Sequence, residues 1–544
     1  MKVVIIGGGT AGLATATKLR RLDENAEIVI LEKSAEFAVS TCALPYYLSG
    51  QVSARESFTG ISAEDLKSRY NITIRLNSEV ENIDRKEKLV KIANRDDEFY
   101  DKLVIATGAL QLRPDLEGIL SEKVFTIKSL ASVDKIKTFI QYNRVKRAVV
   151  LGGGFIGVEM AESLCKLGIK VSIIEAGTHL LPFLDADTAA LVQQRLEEKG
   201  ISVFINHSIT AFGEEDVRLN TGSRLKYDMA LVATGVRPDV KLPVLAELEI
   251  GKAGGIAVTD QMQTSDKDIY AVGDTAEVTN LITKQKELRY NAGVSLKEAA
   301  VVATALSGGK ARFPFVAGTA VTPVFDLTAA AGGCNEALLQ KAGIAYKKLH
   351  LWGMPFSSLA GKPSELLLKL LFSESGKILG IQGIGKSGAD KRIDVVTEII
   401  KKEGGIADLE EAEIAYAPAY AAASDAVNHL GSLAQSVLNG SLKLIMPEEL
   451  DLVRDQAMLI DIRQPAAFAE SHLDGAINLP LTALRRNLDS IPHDKTVIVY
   501  CLHGRGSYQA ALLLKNRGFD NVYMLSGGMK LYHLMKDTYF DKKG

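Results

Sequence analysis

The sequence predicts an α/β protein in which one parallel-sheet nucleotide fold is interrupted by a second and then resumed. An α+β domain and a final α/β domain follow. A strand, a glycine-rich turn and a helix occur in this order twice, at 2–21 and at 147–167, and a further strand follows each time. A chain of 544 residues is also too long for a single hydrophobic core.

The domain boundaries follow from where these patterns begin and end. From about Phe313 the glycine turns stop and longer β segments alternate with helices, which predicts a separate α+β domain. The predicted first nucleotide fold comprises residues 1–110 and 240–312, and the second comprises 111–239. The predicted α+β domain is 313–435, a linker follows at 436–446, and the final α/β domain is 447–544.

Composition is that of an ordinary globular chain, with 47% hydrophobic and 24% charged residues. The net charge of -2 gives no field that would attract nucleic acid. The first residues enter a strand directly, and no apolar run reaches the roughly 18 residues that span a bilayer, so we expect a cytoplasmic protein without a membrane partner. The four cysteines stand far apart, without metal-ligand spacing, so no metal site is predicted.

The first glycine turn predicts a dinucleotide site of the Rossmann type. Gly7, Gly9 and Gly12 would allow a tight turn, close approach to a pyrophosphate, and packing of the helix on the strand. Glu32 ends the next strand, where an acid accepts a hydrogen bond from a ribose hydroxyl.

The second glycine turn repeats this arrangement. Gly152, Gly154 and Gly157 form the turn, and Glu175 is the acid. Because no basic residue follows Glu175 directly, the site favours NADH, with NADPH possible.

Two such folds, closed by Thr107-Gly108, Thr234-Gly235 and Gly273-Asp274, resemble the two-dinucleotide flavoproteins of the pyridine nucleotide-disulfide reductase superfamily. The resemblance covers Met1 to about Gln435. It implies that the first fold holds FAD, with Asp274 on the ribityl chain, and that the second fold, including Gly235, holds the nicotinamide nucleotide. Hydride would then enter one flavin face and leave from the other.

Cys42, in STCALPYYLSG, lies where this superfamily has a redox cysteine beside the flavin at the start of a helix. The positive end of that helix would favour a thiolate. No second cysteine follows four or five residues later, so a disulfide of the glutathione reductase type is excluded.

The segments VFDLTAAAGGCNEALL, GKSGADKRIDV and YAPAY resemble the dimerisation domain of the coenzyme A disulfide reductase group. The resemblance implies a homodimer in which Tyr416 reaches the partner's active site as a proton donor. It also implies a coenzyme A site. The candidates for the coenzyme A phosphates are Arg20, Arg21, Lys67 and Arg69.

The last segment resembles a rhodanese domain through LIDIRQPAAF, GAINLP and VIVYCLHGRGS. Cys501 would open a loop whose backbone N–H groups stabilise a thiolate or a persulfide. The arginine that usually stands five residues after this cysteine is displaced by one, to Arg505.

The chain departs from the coenzyme A disulfide reductase pattern around one pocket. Ala38–Ala43 replaces Ser-Phe-x-Asn-Cys-Gly, Ser357 and Ser358 replace a tyrosine pair, and the turn after Leu288 differs. These changes predict an altered disulfide substrate or a loss of coenzyme A contacts.

The resulting hypothesis is an NADH-dependent reductase of persulfides, polysulfides or coenzyme A disulfides that uses Cys42, with Cys501 carrying sulfane sulfur. One alternative is an NADH oxidase or peroxidase in which Cys42 cycles through a sulfenic acid. Thr10 stands where those enzymes usually have histidine, which disfavours it. A second alternative is a non-reducing sulfur carrier or a redox-responsive binding protein.

Overall fold

The computed structural model describes residues 1–361 and 364–540 and divides into two compact units. Unit 1 contains Met1–Ala176 and His207–Val316, and unit 2 contains Gly177–Asn206 and the chain from Ala317 onward. Within the described ranges, no helix is both long and apolar enough to cross a bilayer.

Unit 1 contains a parallel sheet built on the first glycine turn. Its central strands, such as Val3–Ile6, are buried, because a parallel sheet with both faces covered needs apolar side chains on both. In spatial order the strands are Ile269–Ala271, Lys102–Ile105, Lys2–Ile6, Glu27–Leu31 and Thr73–Arg75.

A second parallel sheet in unit 1 is built on the second glycine turn. In spatial order its strands in this unit are Lys170–Ile174, Arg147–Leu151, Met229–Val232 and Val124–Thr126. The chain passes between the two sheets along Ala109–Gln111 and Val236–Pro238, which pair antiparallel.

The remaining elements of unit 1 cover the faces and edges of these sheets. The smaller antiparallel strands are Val80–Asp84, Leu89–Ile92, Glu98–Phe99, Ile209–Phe212, Asp216–Leu219, Arg224–Lys226, Val278–Thr279 and Lys286–Glu287. The α-helices are Thr10–Leu22, Leu44–Ser49, Ala63–Tyr70, Leu130–Asn143, Phe155–Lys166, Lys241–Leu245 and Ala292–Leu306.

Unit 2 contains one antiparallel and one parallel sheet. In spatial order the antiparallel strands are Ala320–Val324, Leu327–Gly333, Ile378–Gly385, Leu366–Phe372 and Lys347–Gly353. The parallel strands are Lys443–Ile445, Val522–Leu525, Thr496–Tyr500, Ala457–Asp461 and Ile477–Asn478.

The helices of unit 2 pack on these two sheets, and the strand Ser202–Phe204 also belongs to this unit. The α-helices are Ala186–Glu198, Glu336–Lys341, Ala389–Lys401, Ile406–Glu410, Ala426–Leu438, Leu450–Val453, Pro465–Glu470, Leu481–Leu484, Arg505–Asn516 and Gly528–Met535.

The predicted fold class is confirmed, but the predicted linker at 436–446 is wrong. Helix Ala426–Leu438 extends into it, and Lys443–Ile445 is the edge strand of the parallel sheet. The strand was not predicted because it has only three residues and follows a polar stretch, so its apolar side chains form no recognisable pattern. The other predicted boundaries remain predictions, and the last four residues of 447–544 lie outside the described residues.

Candidate functional site

The first glycine turn has the backbone geometry that a dinucleotide site needs. A Cβ atom on Gly7, which has φ +109°, would overlap the Ala106 carbonyl oxygen, and one on Gly12 would overlap that of Gly7. Gly9 has open space instead, with nothing within 4 Å of a Cβ atom. Helix Thr10–Leu22 begins there without a side-chain cap, so its N–H groups are available to a phosphate.

Glu32 holds this turn from the neighbouring strand. Its Oε2 accepts a hydrogen bond from the Gly8 N–H at 2.7 Å, and its Oε1 accepts one from the Ser34 N–H at 2.8 Å. Oε1 also accepts from the Ser34 hydroxyl at 2.6 Å, whereas Oε2 has a further lone pair with which Glu32 can accept from a ribose hydroxyl.

The second glycine turn has the same geometry. Gly152 also has φ +109°, a Cβ atom on Gly157 would overlap the Gly152 carbonyl oxygen, and Gly154 has nothing within 4 Å. Glu175 accepts a hydrogen bond from the Gly153 N–H at 2.6 Å. The two turns are therefore equivalent phosphate cradles.

The two threonine-glycine pairs turn the chain from each sheet into the connecting strands. Thr107 Oγ1 donates to the Asp239 carbonyl oxygen at 2.9 Å, and Thr234 Oγ1 donates to that of Leu112 at 2.9 Å. Gly108 has φ +71° and Gly235 has φ +101°, values that favour glycine. The threonines therefore fix the crossovers.

Asp274 has a carboxylate without a partner. Within the described residues no group donates a hydrogen bond to it, and burial raises the pKa of Asp274 to about 6. Beside it, Glu298 accepts a hydrogen bond from the Gly273 N–H at 2.6 Å. Burial and the charge of Asp274 raise the pKa of Glu298 to about 7, although the Gly273 bond opposes this.

The Glu298→Gln substitution is expected to remove a pH-dependent loss of stability. Folded Glu298 holds its proton up to a pH of about 7, whereas the ordinary pKa is 4.5. Between these values the folded state binds more protons, so wild-type stability falls as pH rises, by about 3 kcal/mol relative to the variant.

Urea unfolding of flavin-stripped protein between pH 5 and 8 measures this difference. The matched control is Glu122→Gln, which changes an exposed glutamate and should follow wild type. A wild-type curve parallel to that of Glu298→Gln would contradict the assignment.

Cys42 lies on the turn that leads into helix Leu44–Ser49 and is exposed. The preceding Val39 is bridged to Thr59. The helix is anchored to the second nucleotide fold, because the Pro45 carbonyl oxygen accepts a hydrogen bond from Ser163 Oγ at 2.9 Å. The thiol is therefore held by structure from both folds of unit 1.

The surroundings of Cys42 oppose the expected thiolate. Partial burial of the thiol raises its pKa even though the residue as a whole is exposed, and the negative charges of Glu159 and Asp274 raise it further. The helix N-terminus that favours a thiolate is visible in the sequence around Cys42. The two acids that oppose a thiolate lie 117 and 232 residues further along the chain and are not. Because the charge of Asp274 raises the pKa of Cys42, the two residues belong to one site.

The residues of unit 1 fit FAD. Gly9 leaves space for a close ligand at an uncapped helix N-terminus, and Asp274 offers an unpartnered acceptor. A ligand with a pyrophosphate and several hydroxyl donors satisfies both groups.

Of the four basic candidates for a coenzyme A site, Arg20 must be withdrawn. It is 4% exposed, and its guanidinium donates only to backbone carbonyl oxygens, including those of Tyr70 at 2.8 Å and Ala26 at 2.6 Å. Its donors are therefore used inside the fold. Arg21 is exposed, Lys67 bonds Asn71 at 2.8 Å, and Arg69 pairs with Asp65 at 3.1 Å.

In unit 2, Tyr416 is 51% exposed on an irregular segment between two helices, so its ring is accessible to another molecule. Cys501 follows strand Thr496–Tyr500 and opens a short loop before helix Arg505–Asn516. Its Sγ lies 3.7 Å from Ser507 Oγ, within range of a weak hydrogen bond to sulfur.

The residues that hold the Cys501 loop were not predicted from the sequence. His503 Nε2 lies 2.9 Å from Glu365, which also binds Lys530, and the His503 bond is the main cause that lowers the pKa of Glu365 to about 2. Trp352 Nε1–H donates to the Gly527 carbonyl oxygen at 2.9 Å. One indirect sign of these contacts is visible in the sequence, the charged residue Glu365 just before the apolar strand Leu366–Phe372.

A buried charge cluster in unit 2 was also missed. Lys369 is 0% exposed, and its Nζ lies 2.9 Å from Asp185, 2.6 Å from Asp187 and beside Glu336. Burial alone would lower the pKa of Lys369, but the three carboxylates outweigh burial and raise it. The three acids could share a cation, and that cation is the lysine ammonium.

Comparison with known proteins identifies the class to which these sites belong. The pyridine nucleotide-disulphide oxidoreductase family matches residues 1–296, its dimerisation domain matches 319–427, and the rhodanese-like domain matches 446–534. The chain belongs to the pyridine nucleotide-disulphide oxidoreductase family and is an oxidoreductase. Membership implies FAD and NAD(P)H as cofactors.

Within this family the chain is similar over nearly its whole length to two solved structures. One is the reduced Bacillus anthracis CoADR-RHD, with a TM-score of 0.96, 34% identity, and coverage of 99% of this chain and 98% of that chain. The other is a NAD-dependent persulfide reductase from A. fulgidus, with a TM-score of 0.93, 34% identity, and coverage of 98% and 100%.

Two curated relatives match a shorter part of the chain. An NADH oxidase of Methanocaldococcus jannaschii is 35% identical over 77% of this chain and 95% of the relative. A coenzyme A disulfide reductase of Staphylococcus aureus is 28% identical over 79% of this chain and 99% of the relative.

Proposed function

We propose that this protein reduces the sulfur–sulfur bond of persulfides, polysulfides or coenzyme A disulfides with electrons from NADH, through FAD and Cys42. One observation carries the proposal: an exposed cysteine lies on a helix-leading turn, within electrostatic reach of the acid that follows the last strand of the FAD-type sheet. The similarity to a persulfide reductase and to coenzyme A disulfide reductases supports the choice of a sulfur acceptor.

The reaction balances without a further reagent. A persulfide, NADH and one proton give a thiol, hydrogen sulfide and NAD⁺. The Cys42 thiolate attacks the inner sulfur of the persulfide, the sulfur–sulfur bond breaks, and hydrosulfide leaves. The mixed disulfide that forms is then broken by two electrons, which releases the thiol and the Cys42 thiolate. FAD, when bound, would carry the electron pair from the nicotinamide to this sulfur.

The raised pKa of Cys42 implies that a proton must leave before attack, and an exposed tyrosine such as Tyr416 suits a role in proton transfer. Tyr416 would act in the partner's active site of a homodimer, as the match to the dimerisation domain suggests. NADH is the expected donor because Glu175 occupies the ribose position and no basic residue follows it directly.

Cys501 would carry sulfane sulfur for the reductase. Joining a carrier and a reductase in one chain raises the effective concentration of the persulfide at Cys42. Coenzyme A remains a candidate substrate, with Arg21, Lys67 and Arg69 as the remaining candidates for its phosphates.

An anaerobic assay tests the proposal by following NADH loss and sulfide release together. With glutathione persulfide or coenzyme A persulfide we expect one sulfide for each NADH, and with coenzyme A disulfide we expect NADH loss and two thiols. Rapid flavin reduction by NADH without turnover of any of these acceptors would contradict it.

The second candidate function is NADH oxidation by oxygen or peroxide, which the M. jannaschii relative favours. The same assay separates the two, because NADH loss that needs oxygen or peroxide and no sulfur acceptor would identify the oxidase. No flavin reduction at all would favour a non-reducing sulfur carrier.

A further inference from the structure

The Cys501 loop lies against the domain that carries the antiparallel sheet of unit 2. Trp352 and Glu365 hold it there, as described above, and Lys530 lies 4.8 Å from the centre of the Trp352 ring. His350 adds a third tie through the segment after strand Val522–Leu525, because its ring nitrogen Nδ1 lies 2.9 Å from Ser526 Oγ. That segment in turn holds the loop, since the Met529 N–H donates to the Cys501 carbonyl oxygen at 3.0 Å. The loop therefore has a fixed neighbour on the side that these residues occupy.

A pocket lies between this neighbour and the start of helix Arg505–Asn516. It is lined by Trp352, Met354, Ser424, His429 and Arg505, among others. Its volume is about 20 Å³, which is room for one or two water molecules. A tetrahedral oxyanion head fits such a space, whereas an entire nucleotide does not.

The pocket has one cationic side chain, that of Arg505, and none of the described residues that line it is an acid. Arg505 is exposed, and within the described residues neither its guanidinium nor the His429 ring has a hydrogen-bond or ion-pair partner. Asp425 lies nearest in sequence to His429, but both of its oxygens bind Arg392, at 2.9 and 2.5 Å. A guanidinium and an imidazole around one small pocket form an anion site.

We propose that Arg505 and His429 together bind the anionic group of the sulfur donor that loads Cys501, so that helix Ala426–Leu438 supplies half of the donor site. This inference rests on the proposed carrier role of Cys501. It also explains how Arg505, which is displaced by one position from its usual place, can still bind the donor: His429 of the neighbouring domain binds the same anionic group.

With thiosulfate as donor, the step needs no other reagent. The Cys501 thiolate attacks the outer sulfur, the sulfur–sulfur bond breaks, and sulfite leaves with the bonding pair. Cys501 is left as a persulfide, with no net change of oxidation state over the pair. The sulfite oxygens are the atoms that Arg505 and His429 would bind.

His429 gives the site a pH dependence. Burial lowers the pKa of His429 and the charge of Arg505 lowers it further, while Asp425 opposes both. A bound oxyanion favours the protonated ring, so thiosulfate binding should strengthen as pH falls from 8 to 6.

The test uses the full chain with Cys42→Ser, so that no sulfur is lost by reduction, and follows the loading of Cys501 by mass spectrometry. The donors are thiosulfate, which leaves a persulfide on Cys501, and uncharged diallyl trisulfide, which leaves an allyl mixed disulfide or trisulfide on the same sulfur. Arg505→Gln should slow loading from thiosulfate about 30-fold and loading from the trisulfide less than about twofold. Arg517→Gln, at the exposed other end of the same helix, is the control and should change neither rate.

His429 is tested through the pH profile. His429→Gln should abolish the increase between pH 8 and 6 in the ratio of the thiosulfate rate to the trisulfide rate, in which the thiolate fraction of Cys501 cancels. His429→Arg should restore a high ratio that no longer depends on pH. Trp352, the only tryptophan in the chain, lines the pocket. Its fluorescence should therefore report binding of unreactive sulfate in wild type and not in Arg505→Gln.

Equal slowing of both donors by Arg505→Gln, or an unchanged pH profile in His429→Gln, would overturn the anion site and leave the carrier role of Cys501 intact. Failure of Cys501 to take sulfur from either donor would overturn both. The NADH-dependent activity of the unmodified chain is measured separately, so failure of the reductase proposal is distinguishable from these results.

Discussion

Replacing Cys42 with serine is expected to lower NADH-dependent sulfide release at least about 1,000-fold, because a hydroxyl cannot form the mixed disulfide with the acceptor. Reduction of the flavin by NADH should continue at the wild-type rate, since that step does not need the thiol. Stopped-flow absorbance of the flavin and a sulfide assay on the same preparation separate these two steps.

Cys165→Ser is the control for this experiment, because Cys165 lies on helix Phe155–Lys166 and the sequence gives it no reactive setting. It should turn over within about twofold of wild type. Full turnover by Cys42→Ser would refute the proposed reaction, whereas loss of flavin reduction as well would point to a lost cofactor.

Replacing Lys369 with methionine is expected to lower the free energy of unfolding of unit 2 by about 3–5 kcal/mol, because two buried aspartates and one half-buried glutamate lose the ammonium group that lies between them. Trp352 pairs with Leu367 in the adjacent strand. As the single tryptophan, its fluorescence during urea unfolding reports the sheet that contains Lys369.

The loss in Lys369→Met should shrink as pH falls from 7 to 5, because protonation removes the uncompensated charge. Lys377→Met is the matched control, since Lys377 is 43% exposed by its side chain and pairs with Glu403 at 3.5 Å. That change should stay within about 0.5 kcal/mol. An unchanged urea midpoint in Lys369→Met would show that the cluster does not stabilise the sheet.

The sequence predicted the parts of the site that depend on short-range patterns. The turns at Gly7 and Gly152 follow from residues within one strand–turn–helix unit, and the structure has the geometry expected of them. The position of Cys42 before a helix was likewise visible in STCALPYYLSG.

The parts that failed depend on residues far apart in the chain. Arg20 seemed available to a phosphate because its carbonyl partners Tyr70 and Asn71 lie 50 and 51 residues away. Lys369 inside LLLKLLF is buried, and its partner Asp187 comes from 182 residues earlier. Distant contacts of this kind leave no local pattern, and the pKa of Cys42 escaped prediction for the same reason.

The pairing of Gln111 with Val236 has a consequence for dissecting this protein. A two-residue turn between them would close a simple hairpin in place of all the residues in between. The excised piece, however, includes helix Ala186–Glu198 and therefore Asp187, which belongs to unit 2 and neutralises Lys369 there. The shortened chain would keep the hairpin in unit 1 but would leave the Lys369 ammonium group in unit 2 without Asp187. The second nucleotide fold therefore cannot be deleted without destabilising unit 2.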